Sequence, residues 1–126
     1  MMLKSCLLSA VVVLSLSSAL QATWKPEYAA QPQWIQDWYR AAELTPEARK
    51  RFPYKKCCDH ADVVHTRFKV NRDNDQDEWF YEDQPDHWKQ IPTDVIHWGK
   101  SAPGGQPTLF VFQDKETCFF PGDGGI

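Results

Sequence analysis

The sequence predicts an α+β domain: one or two N-terminal helices packed on a small twisted antiparallel sheet or partly closed barrel, stapled by a disulfide. Three observations predict it. Apolar residues recur with helical spacing before Pro53, they alternate with polar residues after Asp62, and cysteines stand in the middle and near the end of the chain. The chain has 126 residues, a length that suits one domain, which we place at residues 32–126.

Residues 1–22 have the features of a secretory signal peptide. Lys4 supplies the positive start, a short apolar stretch follows, and Ala19 and Ala22 offer cleavage points. The apolar stretch is shorter than the ~20 residues that a bilayer span needs, so we expect cleavage and no stable membrane span. The sequence therefore predicts a secreted or periplasmic protein, and residues 23–31, which contain a proline, are expected to form an extended arm.

Two helical segments are predicted before the cysteines. Residues 32–43 place an apolar stripe on one helix face, made by Trp34, Ile35, Trp38, Tyr39 and Ala42. A shorter helix is expected to begin at Thr45, whose hydroxyl can cap its first turn, and to end before Pro53.

Strand patterns follow the cysteines. Residues 64–70 alternate between apolar and polar side chains, which predicts a half-buried strand. Five more strands are predicted at residues 79–81, 88–91, 95–98, 108–113 and 117–120. The last two are joined by a short polar connection that suits a hairpin, and the glycines and prolines of residues 99–107 predict a loop.

The charge balance argues against a nucleic-acid partner. Lysine and arginine number 14 against 17 aspartates and glutamates, for a net charge of −3, whereas nucleic acid requires a clustered basic face. Basic residues do gather at 49–56 and acidic residues at 73–86. We interpret them as two solvated surfaces, with a dipole that favours self-association as the alternative.

The cysteines predict a disulfide. Loss of Cys6 with the signal peptide leaves Cys57, Cys58 and Cys118, and an exported protein matures in an oxidising compartment. A bond between neighbouring cysteines is strained, so one of the pair should bond Cys118. We place the bond at Cys58, with Cys57 as the alternative. A spare thiol would then stay inert, bridge two copies as a disulfide-linked dimer, react, or bind metal.

Two chemical roles for that thiol are the alternatives to an inert one. With His60, Cys57 or Cys58 would give a thiol-dependent enzyme, either a hydrolase or a redox protein. With His60 and His65, Cys57 would supply ligands for zinc or copper. Neither has supporting spacing or a third orienting residue, so we assign no catalytic residue, metal ligand or cofactor.

Six tryptophans are many for this length. We interpret most of them as core residues, because large aromatic side chains supply the buried area that a small domain needs. The alternative is a row formed by Trp79, Trp88 and Trp98 that binds glycan or peptide.

Four segments together carry a resemblance. Cys-Cys-Asp at 57–59, Trp-Lys-Gln-Ile-Pro at 88–92, Cys-Phe-Phe-Pro at 118–121 and Gly-Gly at 124–125 resemble segments of a group of small exported bacterial proteins of unknown function. The match covers residues 34–126. The resemblance implies export and a shared fold, and it implies no activity, cofactor or partner.

The leading functional hypothesis is a non-catalytic binding or structural protein of the cell envelope. Its partner would be another envelope protein or a second copy of the chain. The alternatives are the thiol-dependent enzyme and the periplasmic zinc or copper protein described above.

Overall fold

The computed structural model describes residues 29–59 and 61–122, so the signal peptide, most of the predicted arm and His60 lie outside the described residues. The helix α1 and the six strands have the following bounds: α1, Gln33–Ala41; β1, Asp62–Val64; β2, Phe68–Asn71; β3, Glu78–Gln84; β4, His87–Gln90; β5, Thr108–Phe112; β6, Lys115–Phe120. Across the described part of the chain, every helix is too short or too polar to traverse a bilayer.

The strands form two antiparallel sheets. The first sheet has the order β1-β5-β6 and the second sheet has the order β2-β3-β4. The predicted combination of a helix with an antiparallel sheet is confirmed. The alternative of a partly closed barrel is wrong, because the strands stay in two separate sheets.

The predicted strand 64–70 is broken where the chain passes from one sheet to the other. Val64 pairs with Leu109 in the first sheet, whereas Phe68 pairs with Tyr81 in the second sheet. Between them, the Thr66 hydroxyl donates a hydrogen bond of 2.6 Å to the backbone carbonyl of Glu82. The alternation of apolar and polar residues thus continues from one sheet into the other, and the sequence pattern does not show where the chain changes sheets.

The strand predicted at residues 95–98 is wrong. A 3-10 turn occupies Thr93–Val95, and beyond it Ile96 makes a single parallel bridge to Phe119. Pro92 precedes the turn and cannot donate a ladder hydrogen bond. The segment therefore lies beside β6 without extending the first sheet.

The first predicted helix forms, and it packs on the first sheet. The ring of Trp38 lies 4.9 Å from that of Phe120, and the ring of Tyr39 lies 6.0 Å from that of Phe110. The helix ends at Ala41, two residues earlier than predicted. Trp34, in the first turn, is 62% exposed, so its predicted place in the apolar stripe does not make it a core residue.

The second predicted helix shrinks to a 3-10 turn at Ala48–Lys50. The predicted cap is present, because the backbone amide of Ala48 donates to the Thr45 hydroxyl at 3.0 Å. Three residues are too few for an α-helix, and the chain leaves the turn before Pro53.

β6 is buried on both of its faces. Phe119 packs against Trp79 and Phe68 of the second sheet, at ring distances of 5.2 and 5.5 Å. Its neighbour Phe120 meets Trp38 of α1, and successive side chains of a strand point to opposite faces. The first sheet therefore lies between α1 and the second sheet.

Candidate functional site

A buried disulfide joins the middle of the chain to its last strand. It links Cys57 to Cys118 across 61 residues, with 5.8 Å between the Cα atoms, and the two residues are 1% and 0% exposed. We had placed the bond at Cys58, and the structure corrects this to the alternative, Cys57. The amide of Cys57 donates to the carbonyl of Ala42 at 2.9 Å, which holds Cys57 beside the end of α1.

The expected spare thiol is not found among the described residues. Cys58 is buried and also takes part in a disulfide, and the structure has no free cysteine there. The inert thiol, the reactive thiol and the disulfide-linked dimer all depended on an unbonded sulfur, so the described residues give them no support.

His97 lies beside this bridge. Its backbone amide donates to the carbonyl of Phe119 at 2.8 Å, one residue after Cys118. Its ring stacks on that of Phe120, with 4.2 Å between the centroids and 4° between the planes. Three distant segments thus meet: the end of α1, the 96–97 segment and β6.

The surroundings of His97 favour the neutral form of its imidazole. Burial lowers its pKa, and the charge of Lys100 lowers it further, while a hydrogen bond to the backbone carbonyl of Glu43 acts in the opposite direction. The ring nitrogen Nε2 is buried and has no hydrogen-bond partner, so the other nitrogen, Nδ1, donates to Glu43. A buried nitrogen without a hydrogen bond lowers the stability of the fold by about 1–3 kcal/mol. Nε2 therefore does not stabilise the fold through a hydrogen bond.

A cleft opens between the end of α1 and this histidine. Its volume is about 450 Å³, and its lining includes the rings of Trp38, His97 and Phe120. Three charged side chains also line it, and we call them the rim of the cleft: Glu43, Arg49 and Lys100. The cleft therefore combines aromatic rings with a charged rim.

The rim carries more positive than negative charge. Arg49 forms an ion pair with Glu43, and the ammonium of Lys55 lies 3.8 Å from the same carboxylate. Lys100 is exposed, and its charge reaches His97 strongly enough to lower that pKa. Arg49 and Lys55 thus both lie against the carboxylate of Glu43, Lys100 is a further cation, and the cleft suits an anionic group.

The ligand set that the sequence offered is only partly described. His65 is exposed in the crossing between the two sheets, and His60 lies outside the described residues. Among the described residues, the cluster around Cys57 is completed by His97 and Cys118.

The three tryptophans proposed as a binding row are also separated. Trp79 is 2% exposed and lies in the core, whereas Trp98 is 38% exposed in a turn. Trp88 lies on the opposite face of the second sheet from Trp79, half-buried, with the ammonium of Lys69 4.4 Å from its ring centroid. Trp79 is a core residue, but it is the only fully buried tryptophan among those described, so the interpretation of most tryptophans as core residues is not confirmed. The row is wrong because Trp79 is buried, Trp88 lies on the other face of its sheet and Trp98 lies in a turn.

Sequence reasoning missed His97 altogether. It occurs alone among apolar residues, in a segment predicted to be a strand, and no motif surrounds it. Its position depends on the single bridge between Ile96 and Phe119, a contact between distant segments. The local sequence contains no signal that could have identified it.

Comparison with known proteins adds no family. No protein-family model, curated protein or solved structure matches this chain. The resemblance to small exported bacterial proteins stays a prediction, and the function has to be inferred from the geometry of the site.

Proposed function

We propose that this protein is an exported, non-catalytic binding domain that recognises a carboxylate-bearing aromatic group of another envelope component in the cleft beside α1. The observation that carries the proposal is a cleft lined by aromatic rings together with two cations and one carboxylate. Export rests on the predicted signal peptide, and a buried disulfide suits the oxidising compartment to which it leads.

A thiol-dependent enzyme is less consistent with the site. A catalytic thiol has to be accessible and ionised, whereas Cys57 and Cys118 are buried and joined to each other, and Cys58 is also in a disulfide. The bridge acts as a covalent link that fixes β6 relative to the end of α1.

The chemistry of the cleft defines the ligand class. The half-buried ring of Trp38 meets that of Phe120 edge to face at 4.9 Å, and it offers apolar surface to an aromatic group. The ammonium of Lys100 is available to a carboxylate at the rim, where a charge-assisted contact is stronger than a neutral hydrogen bond. Because Glu43 already pairs with Arg49, a ligand carboxylate is expected to meet Lys100 first.

The proposal is tested with N-acetylphenylalanine and its C-terminal amide as probes, and binding is followed by the NMR shift of the Trp38 indole N–H. The carboxylate should bind saturably and the amide at least about tenfold more weakly, since one charge-assisted contact is lost. Equal binding of the two probes, or no saturable shift with either, would overturn the proposal.

A charge-reversal pair locates the site. Lys100→Glu should abolish the response to N-acetylphenylalanine. Lys115→Glu, an equal charge change in the exposed start of β6, should leave it unchanged. If both variants lose binding to the same extent, the effect comes from overall charge, and the cleft is not the site.

A further inference from the structure

The buried bridge contains the parts of a metal site. Cys57, Cys118 and His97 each place one ligand atom within 4.8 Å of the other two. Two thiolates and an imidazole are ligands that zinc takes in proteins, and three protein ligands can be completed by water or another group. In the oxidised protein the two sulfurs bond each other, so neither is a thiolate.

The surroundings of His97 suit a metal ligand. Its Nδ1 donates to the backbone carbonyl of Glu43, which leaves the lone pair of Nε2 without a partner. A metal-bound histidine commonly donates its other nitrogen to a backbone carbonyl, which fixes the tautomer and the ring orientation. The stacking of the ring on Phe120 restricts it further.

We propose that the reduced protein binds one zinc ion through Cys57, Cys118 and His97, so that the bridge alternates between a covalent staple and a metal centre. This goes beyond the binding of an anionic ligand, which involves the oxidised protein and the rim of the cleft. His97 also lines the cleft, so one ligand residue of the cluster adjoins the cleft.

Reduction of the bridge requires a dithiol, which supplies two electrons and two protons. The bond between Cys57 and Cys118 breaks, two protein thiols form, and the dithiol leaves as its own disulfide. Zinc then displaces both thiol protons and forms bonds to two thiolates and to the imidazole, with a water at the fourth position. A disulfide oxidant reverses the sequence: it takes two electrons from the thiolates and two protons from the solvent, leaves as two thiols, and zinc is released.

The test compares oxidised with reduced protein. The purified protein is reduced anaerobically with a water-soluble phosphine, which takes oxygen from water and becomes the phosphine oxide, and is then titrated with zinc against a chromophoric chelator. Reduced protein should bind one zinc per chain and oxidised protein none. Titration with cobalt should give a thiolate-to-metal charge-transfer band and the visible spectrum of a tetrahedral site.

Matched variants assign the ligands. His97→Ala should weaken zinc binding by at least about 100-fold, because loss of an outer-shell partner alone costs up to that factor. His65→Ala removes an exposed imidazole and should have no effect. Cys58→Ala should retain the zinc, because Cys57 and Cys118 are the proposed sulfur ligands.

Folding of the reduced protein is followed by circular dichroism in parallel. If reduction unfolds the chain, zinc should restore the structure of the parent and not of His97→Ala. The proposal is overturned by absence of zinc binding in the reduced parent, by equal affinity of parent and His97→Ala whether folded or unfolded, or by loss of zinc in Cys58→Ala.

Discussion

The two sheets differ in how many of their faces are buried. In the first sheet, β6 is buried from Glu116 to Phe120, with α1 on one side and the second sheet on the other. In the second sheet, β3 alternates, with Trp79 and Tyr81 buried and Phe80 partly exposed. One sheet is a central layer, and the other is an outer layer with one face open to solvent.

This difference explains what each sheet contributes. A strand with two covered faces is a nearly continuous apolar run, whereas a strand with one covered face alternates. The first sheet carries Cys118 and the Phe120 ring beneath His97, so the candidate site is built on the central layer. The second sheet covers that layer and connects to it through Phe119 and Glu116.

The largest expected effect is on the free energy of unfolding, and the same Phe→Ala substitution should affect it differently in the two sheets. Phe119→Ala should lower the free energy of unfolding by about 3–5 kcal/mol, because it opens a cavity between the sheets. Phe80→Ala, on the open face of the second sheet, should cost less than about 1 kcal/mol. Urea denaturation measures both, and equal costs would contradict the assignment of central and outer layers.

Removal of the bridge should weaken the central layer by a comparable amount. Cys57→Ala with Cys118→Ala removes a cross-link over 61 residues, for which loop entropy gives about 4 kcal/mol. Each single variant should cost nearly as much as the double variant, because either change breaks the link. If the two single costs instead add up to that of the double variant, the loss reflects packing and not the cross-link.

A smaller effect is expected at the buried contact between the sheets. The Tyr81 hydroxyl donates to Glu116 at 2.6 Å, and the Lys89 ammonium lies 2.9 Å from the same carboxylate. Burial, with Glu116, raises the pKa of Tyr81, which keeps this hydroxyl a donor. Glu116→Gln should cost about 2 kcal/mol, measured by urea denaturation.

The control for that contact is Glu78→Gln at the start of the second sheet. Its carboxylate accepts a hydrogen bond from the Asn71 amide at 3.3 Å and is not part of the contact between the sheets. It should cost less than about 0.5 kcal/mol. A similar loss for both variants would show that Glu116 does not hold the two layers together.

The smallest effect is the pH dependence that Glu82 of the outer layer contributes. The guanidinium of Arg67, followed by the backbone amide of Asp86, lowers the pKa of Glu82 from 4.5 to about 2. Because the folded pKa is the lower one, this carboxylate stabilises the fold above pH 4.5, and the stabilisation is lost as the pH falls from 4.5 through 2. Glu82→Gln should flatten the stability curve in that window.

The matched change for Glu82 is Asp75→Asn, in the exposed connection between β2 and β3. It also removes one carboxylate from the outer layer, and it should leave the slope of the stability curve as it is in the parent. If the two variants flatten the curve equally, the slope reflects overall charge and not the pair of Glu82 with Arg67.

Local patterns predicted the elements better than their arrangement. The stripe that includes Trp38 and Tyr39 predicted α1, and the Thr45 cap predicted a turn that forms. Alternation did not show that the chain changes sheets after Val64. For the site, the sequence indicated a bridge to Cys118 and did not indicate His97.

What the amino-acid sequence determined by itself is the first helix, most of the strands, the size of the domain and the bond from the cysteine pair to Cys118. These follow from periodicity, caps and residue counts, which act over a few positions. Only the tertiary structure decided that Cys57 is the bonded partner and that His97 lies beside it. The physical reason is that both depend on backbone contacts between distant segments, Cys57 with Ala42 and His97 with Phe119, which have no counterpart in the neighbouring residues.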